Sequence, residues 1–286
     1  MSKIKDTEIK ATVGDIEIVG SLYFDCDPIS PREWDNLGTM ACYHSRYTLG
    51  DEGVPYKDEV IDMLEGSNND VICLPLRLYD HSGLAMSTHN NGAAFGDPWD
   101  SMWIGAIFVE KAKIREEYGW KYLTKKRINQ ILQYLEGEVE TYDQYLRGDV
   151  YGITVEGGEG GDESCWGYYG YDYAKSELKS TFRYVVEQEL KKMKVKIVFR
   201  REVHISEHFV PASMGLGDIE KFVASNDTGL NEALEYSRSL LIRPQDVVEM
   251  TVEEACQKHG CKINDMLDEL IAMGVDVPDD MFKGGE

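Results

Sequence analysis

Apolar and polar residues alternate along residues 9 to 25, "IKATVGDIEIVGSLYFD", on both sides of Gly14-Asp15. A period of two with a turn pair at its centre predicts a hairpin of two half-buried strands. Residues 54 to 65 change to the helical period, with Val60, Ile61 and Leu64 on one side, and Gly66-Ser67-Asn68-Asn69 ends the run. "VICLPLRLY" and "WIGAIFVE" are β-rich and flank the loop of residues 80 to 102, so both are predicted strands. Pro75 has no amide donor and marks an edge or a bulge in its own strand.

A short helix is predicted over 111 to 118, and the clearest helical period follows over 124 to 146. There Ile128, Ile131, Leu132, Leu135, Val139, Tyr142 and Leu146 form one stripe behind an opening Thr124. "DVYGITVE" and "SCWGYYGYD" predict a second hairpin, with "GGEGGDE" as a mobile acidic tip. Alternation in the aromatic run "WGYYGYDY" sends one row of rings to the core and the other to an interface. "YAKSELKSTFRYVVEQELKKM" returns as a helix with a basic end, and "VKIVFRREVHI" as a strand.

Strands and helices mix without a βαβ repeat, which predicts an α+β fold: a mixed, mostly antiparallel sheet with packed helices. Beyond Pro211 the pattern reads as helices over 217–225, 229–242 and 245–273. The expected organisation is an α+β body over 1–208 and a helical C-terminal domain over 209–286. A helix-turn-helix-like hairpin is placed at 251–273, where Thr251 and Glu254 form a capping box and Gly260 interrupts the helix.

Composition narrows the function classes. The 286 residues are 42% hydrophobic, too apolar for a disordered chain. Acidic residues number 52 against 30 basic, a net charge of -22, so the average field repels nucleic-acid phosphates and anionic lipid. Direct nucleic-acid binding and membrane association are not expected. Residues 249–286 carry ten acidic and three basic side chains, which argues against a DNA-reading helix and for docking or homo-oligomer formation. The start "MSKIKDTEIK" has no apolar leader and no apolar run nears the roughly 20 residues of a membrane span, so a cytosolic chain is expected. The six cysteines have no disulfide-framework spacing.

Four sets of residues bear chemistry. Asp80 and His81 end a strand beside a long loop, where a catalytic pair would be held rigidly; equally, Asp80 and Ser82 bond the turn backbone while Gly83 supplies the left-handed residue. His44 and Cys165 complete the catalytic candidates, as a third converging group and as a nucleophile. Cys256, His259 and Cys261 cluster within six residues, and His204 and His208 stand four apart, but neither makes a full tetrahedral set, so no metal or cofactor is expected. The fourth set is acidic. Glu136, Glu138, Glu140, Asp143, Asp149, Glu156, Glu159, Asp162 and Glu163 stand against Arg147 alone, as a surface that imitates phosphate spacing or simply as a solvated face. On the first reading Glu138, Glu140 and Asp143 are free charges whose reversal to Lys leaves the fold intact.

The blocks "DPISPREWDNLGTMACYHSRYTLGD", "LPLRLYDHSG", "PWDSMWIGAIFV", "EGEVETYDQYLRGDVYG" and "ESCWGYYG" occur in that order. Through them the chain resembles a family of uncharacterised proteins encoded by bacteriophages and mobile elements, over roughly residues 20 to 190. The loop "STHNNGAAFGDPWDS" is longer than the family's Ser/Cys-Pro-Trp-Asp form, and the tail after residue 210 is an addition. The matched blocks hold Trp34, Asp35, Asn36, His44, Asp51, Asp80, His81, Asp100 and Trp166, as site residues or as turn caps and corner fillers. The resemblance implies an accessory protein of the host cytoplasm that inhibits a host defence system, a CRISPR effector or nuclease. It would do so by stoichiometric contact between its acidic surface and a basic nucleic-acid-binding surface. A small hydrolytic or nucleotide-directed enzyme around Asp80 and His81, and a phage assembly protein, are the alternatives.

Overall fold

The computed structural model describes residues 5–80, 83–88, 101–199, 207–211, 213–215, 218, 247–278 and 281. The chain forms two compact units that interleave along the sequence. One comprises Met1–Lys5, Tyr23–Gly152 and Cys165–Lys175; the other comprises Asp6–Leu22, Ile153–Ser164 and Ser176–Glu286.

The predicted first hairpin is β1 (Lys5–Val13) and β2 (Ile16–Phe24), and the predicted second hairpin is β7 (Val150–Glu156) and β8 (Glu163–Tyr169). Together they make one sheet in the order β1-β2-β7-β8. A second sheet has the order β3-β6-β4-β5, from β3 (Thr39–Cys42), β6 (Ser101–Glu110), β4 (Val71–Asp80) and β5 (Leu84–Ser87). Its strand pairs are all antiparallel. The helices are α1 (Lys57–Leu64), α2 (Lys111–Tyr118), α3 (Lys125–Arg147), α4 (Tyr171–Lys192), α5 (Val252–His259) and α6 (Leu267–Ala272). The class is α+β, as the pattern predicts.

In the first unit α3 places its stripe on one face of the second sheet. Ile131, Leu135, Val139 and Tyr142 join Met40, Ile72, Leu76, Ile104 and Ile107 in a core. On the other face Val60 of α1 packs with Ala41, Ala106 and Phe108, so β6 alternates its side chains between two cores. Pro75 lies opposite Ala106 of β6, while β5 pairs only with Arg77–Asp80. No hydrogen-bond donor is therefore demanded of Pro75 on the β5 side, and the register slips just beyond it, between Leu76 and Arg77.

The second unit buries Ile18 and Leu22 of β2 and Leu178, Phe182, Val186 and Leu190 of α4. Its C-terminal part departs from the expected independent helical domain. The boundary at 208/209 falls inside β10 (Glu207–Pro211), and both β10 and β11 (Val247–Thr251) pair antiparallel with β9 (Lys194–Phe199). The tail supplies a strand to a sheet, so it is not an appendage. The helix expected over 245–273 opens as β11 because Val247 and Val248 favour extended backbone. Helix α5 then starts at the predicted capping box, with Glu254 N donating to Thr251 Oγ1 at 3.1 Å and Thr251 N to Glu254 Oε2 at 2.8 Å. Gly260 ends it in the left-handed conformation. The predicted helices at 217–225 and 229–242 lie outside the described residues, Asp218 excepted. The tip expected to be mobile is fastened: Glu159 N donates to the buried carboxylate of Glu189 at 3.0 Å. No helix among the described residues is long and apolar enough to cross a membrane.

Gly105 sits in β6 between Cys42 on one neighbour and Leu76 on the other, at φ 155°, and a Cβ there would overlap the carbonyl oxygen of Ala41. Gly105→Ala must push apart paired backbone, not a pliable side chain. The expected loss is on the order of 3 kcal/mol, read by urea unfolding. A loss within experimental error would show that the two strands have room to separate.

Candidate functional site

The segment "SPREWDN" folds around one cation. Pro31 opens a short 3-10 turn, Pro31–Glu33, with Ser30 Oγ accepting Arg32 N at 3.2 Å. This turns the Arg32 side chain inward until it is 5% exposed. Its guanidinium grips Asp51 with two bonds of 2.7 Å, from Nε to Oδ1 and from Nη2 to Oδ2. It also donates to Glu138 Oε2 on α3 at 2.9 Å and to the Gly38 carbonyl at 2.7 Å. Glu138, 7% exposed, accepts Leu37 N and Gly38 N on its other oxygen at 2.9 and 3.0 Å, and Asp51 accepts Met40 N at 2.8 Å. Burial opposes the charge on Arg32, and the bonds to Asp51 and Glu138 more than restore it, leaving its pKa above the ordinary value. The loop of residues 31 to 40 is thereby clamped to α3.

A groove of about 430 Å³ runs over this clamp. One wall is Trp34, Asp35 and Asn36; the floor is the outward side of α3 at Gln133, Tyr134, Gly137 and Thr141. Trp34 and Tyr134 are each 48% exposed. The indole and the Tyr169 ring meet at 88° with centroids 5.1 Å apart, and Tyr169 donates its hydroxyl hydrogen to the Ile29 carbonyl. Asn36 spends its amide nitrogen on the carbonyls of Pro31 and Trp34, both at 2.9 Å. A smaller recess of about 150 Å³ continues beside Tyr134 to Lys113, Glu117 and Tyr118. The Lys113 ammonium is held by the carbonyls of Asn36 and Leu37, each at 2.9 Å. The Tyr134 phenol is pushed up, first by burial and then by Glu138, Tyr118, Asp35 and Glu117. Asp35 is an exposed carboxylate in the lining of the groove.

Gly137 has no packing reason to be glycine. It lies inside α3, where glycine costs about 1 kcal/mol against alanine, yet a Cβ there would meet nothing within 4 Å. The space it leaves opens into the groove.

The structure brings two of the catalytic candidates into one cluster. Asp80 forms an ion pair with Arg46 and accepts the Tyr47 hydroxyl at 3.4 Å; the Tyr47 ring stacks on His44 at 4.9 Å between centroids. His44 Nδ1 accepts the backbone amides of Arg46 and Tyr47 at 3.2 and 3.3 Å, which leaves Nε2 as the nitrogen that carries hydrogen in the neutral ring. The Asp80 carboxylate is committed to side chains of its own unit. His81 lies outside the described residues. Cys165 is exposed on β8, while Cys42, which the sequence did not single out, is raised to about 12 by burial and then by Asp51, and stays a protonated thiol.

The acidic candidates divide. Glu136 and Glu140 are exposed on α3. Glu138 and Asp143 are not the free charges expected: Glu138 completes the Arg32 clamp, and Asp143, 17% exposed, accepts Met86 N of β5 at 2.7 Å and pairs with Arg147 at 3.4 Å. Asp149 lies 3.6 Å from the same arginine. Glu159, Asp162 and Glu163 are exposed in the second unit, along with Glu156, and Glu159 approaches Lys192 at 3.6 Å. Among the described residues no three His, Cys, Asp or Glu side chains are placed to hold a metal. The Cys256 thiol contacts Met266 Sδ at 3.4 Å and is raised to about 11, by burial first and then by its hydrogen bond with the free thiol of Cys261. The side chains of His204, His208 and His259 lie outside the described set.

No family model matches the chain, and no curated protein or solved structure matches it at a significant level.

Two predictions follow from the clamp and its neighbour. Truncating Arg32 or Glu138 to Ala strands a buried charge and is expected to cost about 3–5 kcal/mol by urea unfolding. Glu138→Lys sets a second cation against Arg32 and is expected to prevent folding, whereas a folded E138K protein would show that the clamp is dispensable. Asp143 tests pH. Burial raises its pKa, the Met86 amide and then Arg147 oppose the rise, and Asp149 and Glu140 add to it. A carboxyl raised on folding stabilises below its unfolded pKa, and that contribution is lost as pH rises through the folded value. Asp143→Asn keeps an acceptor for Met86 N without the buried charge. Its Tm relative to wild type is expected to climb as pH rises from about 4 through the raised value of the folded carboxyl and then to level off. A relative Tm that declines over that range would assign the carboxylate a net stabilising charge.

Proposed function

We propose that the chain is a stoichiometric binding protein whose first unit presents an acidic, aromatic-walled face to a basic surface on a partner protein. The carrying observation is the pair of half-exposed rings, Trp34 and Tyr134, beside the exposed carboxylate of Asp35, all mounted on the Arg32 clamp. Exposed aromatic anchors held rigidly are what binding surfaces use, because little conformational entropy remains to be lost on contact. Glu33, Glu117, Glu136 and Glu140 are exposed on the same unit, and a net charge of -22 steers a basic partner and repels nucleic acid.

Together with the resemblance to proteins of bacteriophages and mobile elements, this supports an accessory factor that acts in the host cytoplasm. It would block a CRISPR effector or nuclease by covering its nucleic-acid-binding surface. An enzymatic reading through His44 and Asp80 has less support, since Asp80 is already engaged by Arg46 and Tyr47.

The test is titration of purified nucleic-acid-binding defence nucleases with the protein at two salt concentrations. Inhibition of a susceptible nuclease is expected to reach its end point at one equivalent and to weaken with salt. The double variant Glu136→Lys/Glu140→Lys is expected to weaken it further while unfolding within about 0.5 kcal/mol of wild type. Inhibition by far less than one equivalent, or indifference to salt and to the double variant, would refute acidic-face binding.

A further inference from the structure

We infer that the groove between Trp34 and Tyr134 is a receptor for an arginine side chain of the partner, an inference that rests on the acidic-face reading and narrows it to one residue type. Three features select a guanidinium. Two half-exposed rings line the groove, and a planar delocalised cation stacks on aromatic rings better than a compact ammonium. The lining includes two acceptors, the Asp35 carboxylate, with no ion pair among the described residues, and the Asn36 carboxamide oxygen, whose amide nitrogen is spent on Pro31 and Trp34; Gln133, Tyr134 and Thr141, which also line it, each carry an acceptor oxygen as well as a donor. Arginine carries five donors and no acceptor, so it matches that set.

The third feature is room. Gly137 leaves the floor open between Trp34 and Tyr134, at a cost to the helix that no internal contact recovers. A flat group can thus lie against the α3 backbone. The one cation in the adjoining recess, Lys113, is held by the carbonyls of Asn36 and Leu37 and makes no ion pair with Asp35. Burial first, and then Glu138, Tyr118, Asp35 and Glu117, push the Tyr134 phenol up, so this ring keeps its hydroxyl hydrogen beside the incoming cation.

Gly137 also makes the inference testable without damaging the fold. Gly137→Gln fills open space and improves helix propensity, so it is expected to keep or raise Tm while blocking the groove. Calorimetric titration of the full chain would use two capped pentapeptides, one with arginine at positions 2 and 4 between glycines and one with lysine there. The arginine peptide is expected to bind about tenfold tighter than the lysine peptide, and Gly137→Gln and Trp34→Ala each to abolish that preference.

Equal binding of the two peptides, unchanged preference in Gly137→Gln, or no binding of either peptide overturns the receptor. The Glu136→Lys/Glu140→Lys variant separates the two claims. If it weakens both peptides equally and Gly137→Gln does nothing, the acidic face stands and the receptor falls. If the arginine preference persists in it and vanishes in Gly137→Gln, the receptor stands even where the nuclease titration fails.

Discussion

A guanidinium removed from water must be met on every side, and the first unit is arranged around meeting that demand for Arg32. Two carboxylates and a carbonyl take its donors, and the remaining carboxylate lone pairs are taken by the amides of Leu37, Gly38 and Met40. A network in which each member is satisfied by the others tolerates no partial version, because one missing partner leaves a charge in a low-dielectric site. The segments it joins lie far apart in the chain: the turn at Arg32, the loop at Asp51 and helix α3 at Glu138. Burial of apolar surface would bring a helix onto a sheet in many registers. The Arg32 network accepts one of them.

Helix α3 carries that constraint outward. Its inner stripe fills the core, and three polar side chains at its margin reach different segments: Glu138 the loop at Leu37 and Gly38, Tyr142 the Gly50 amide at 3.1 Å, and Asp143 the Met86 amide of β5. Its own charges do not favour it as an isolated helix. Lys125, Lys126 and Arg127 open it, where the helix dipole prefers acids. Tertiary contacts therefore hold α3, and its outward side is released from structural duty. On that side stand Tyr134 and Gly137, neither of which the core requires.

Elements whose reason is local were legible in the sequence. The Gly14-Asp15 hairpin, the stripe of α3, the Thr251 box and the Gly260 stop each depend on residues within a turn or two. What was not legible depends on partners distant in the chain. Strand β11 pairs with β9 across some fifty residues; Val247 and Val248 hint at extended backbone but name no partner, so the local pattern predicts a separate helical domain. The role of Glu138 was partly legible. It stands seven residues after Ile131 and four before Tyr142, on the buried stripe and not opposite it, whereas Glu136 and Glu140 fall outside the stripe. Counting acids along the chain ignored that phase. Arg32 had only the Pro31 turn to mark it, and Gly137 was visible as a glycine inside a strong helical period with no cap or turn near it.

The same distinction governs how the charge should be understood. Asp51, Glu138, Asp143 and Glu189 each bond named groups in the interior of their unit, so they contribute to the formal charge while offering little to a partner. The field that a partner meets comes from the acids left outside, such as Asp35, Glu117, Glu136 and Glu140. Charge of this kind raises encounter rates and is screened by salt, but it does not choose between one basic side chain and another. Choice requires shape: a ring whose tilt is fixed, an acceptor whose direction is fixed and space of a definite form. On the proposed reading the first two descend from the Arg32 clamp, which the fold requires, and the third from Gly137, which it does not, so the groove's shape can be changed without touching the network that holds the unit together.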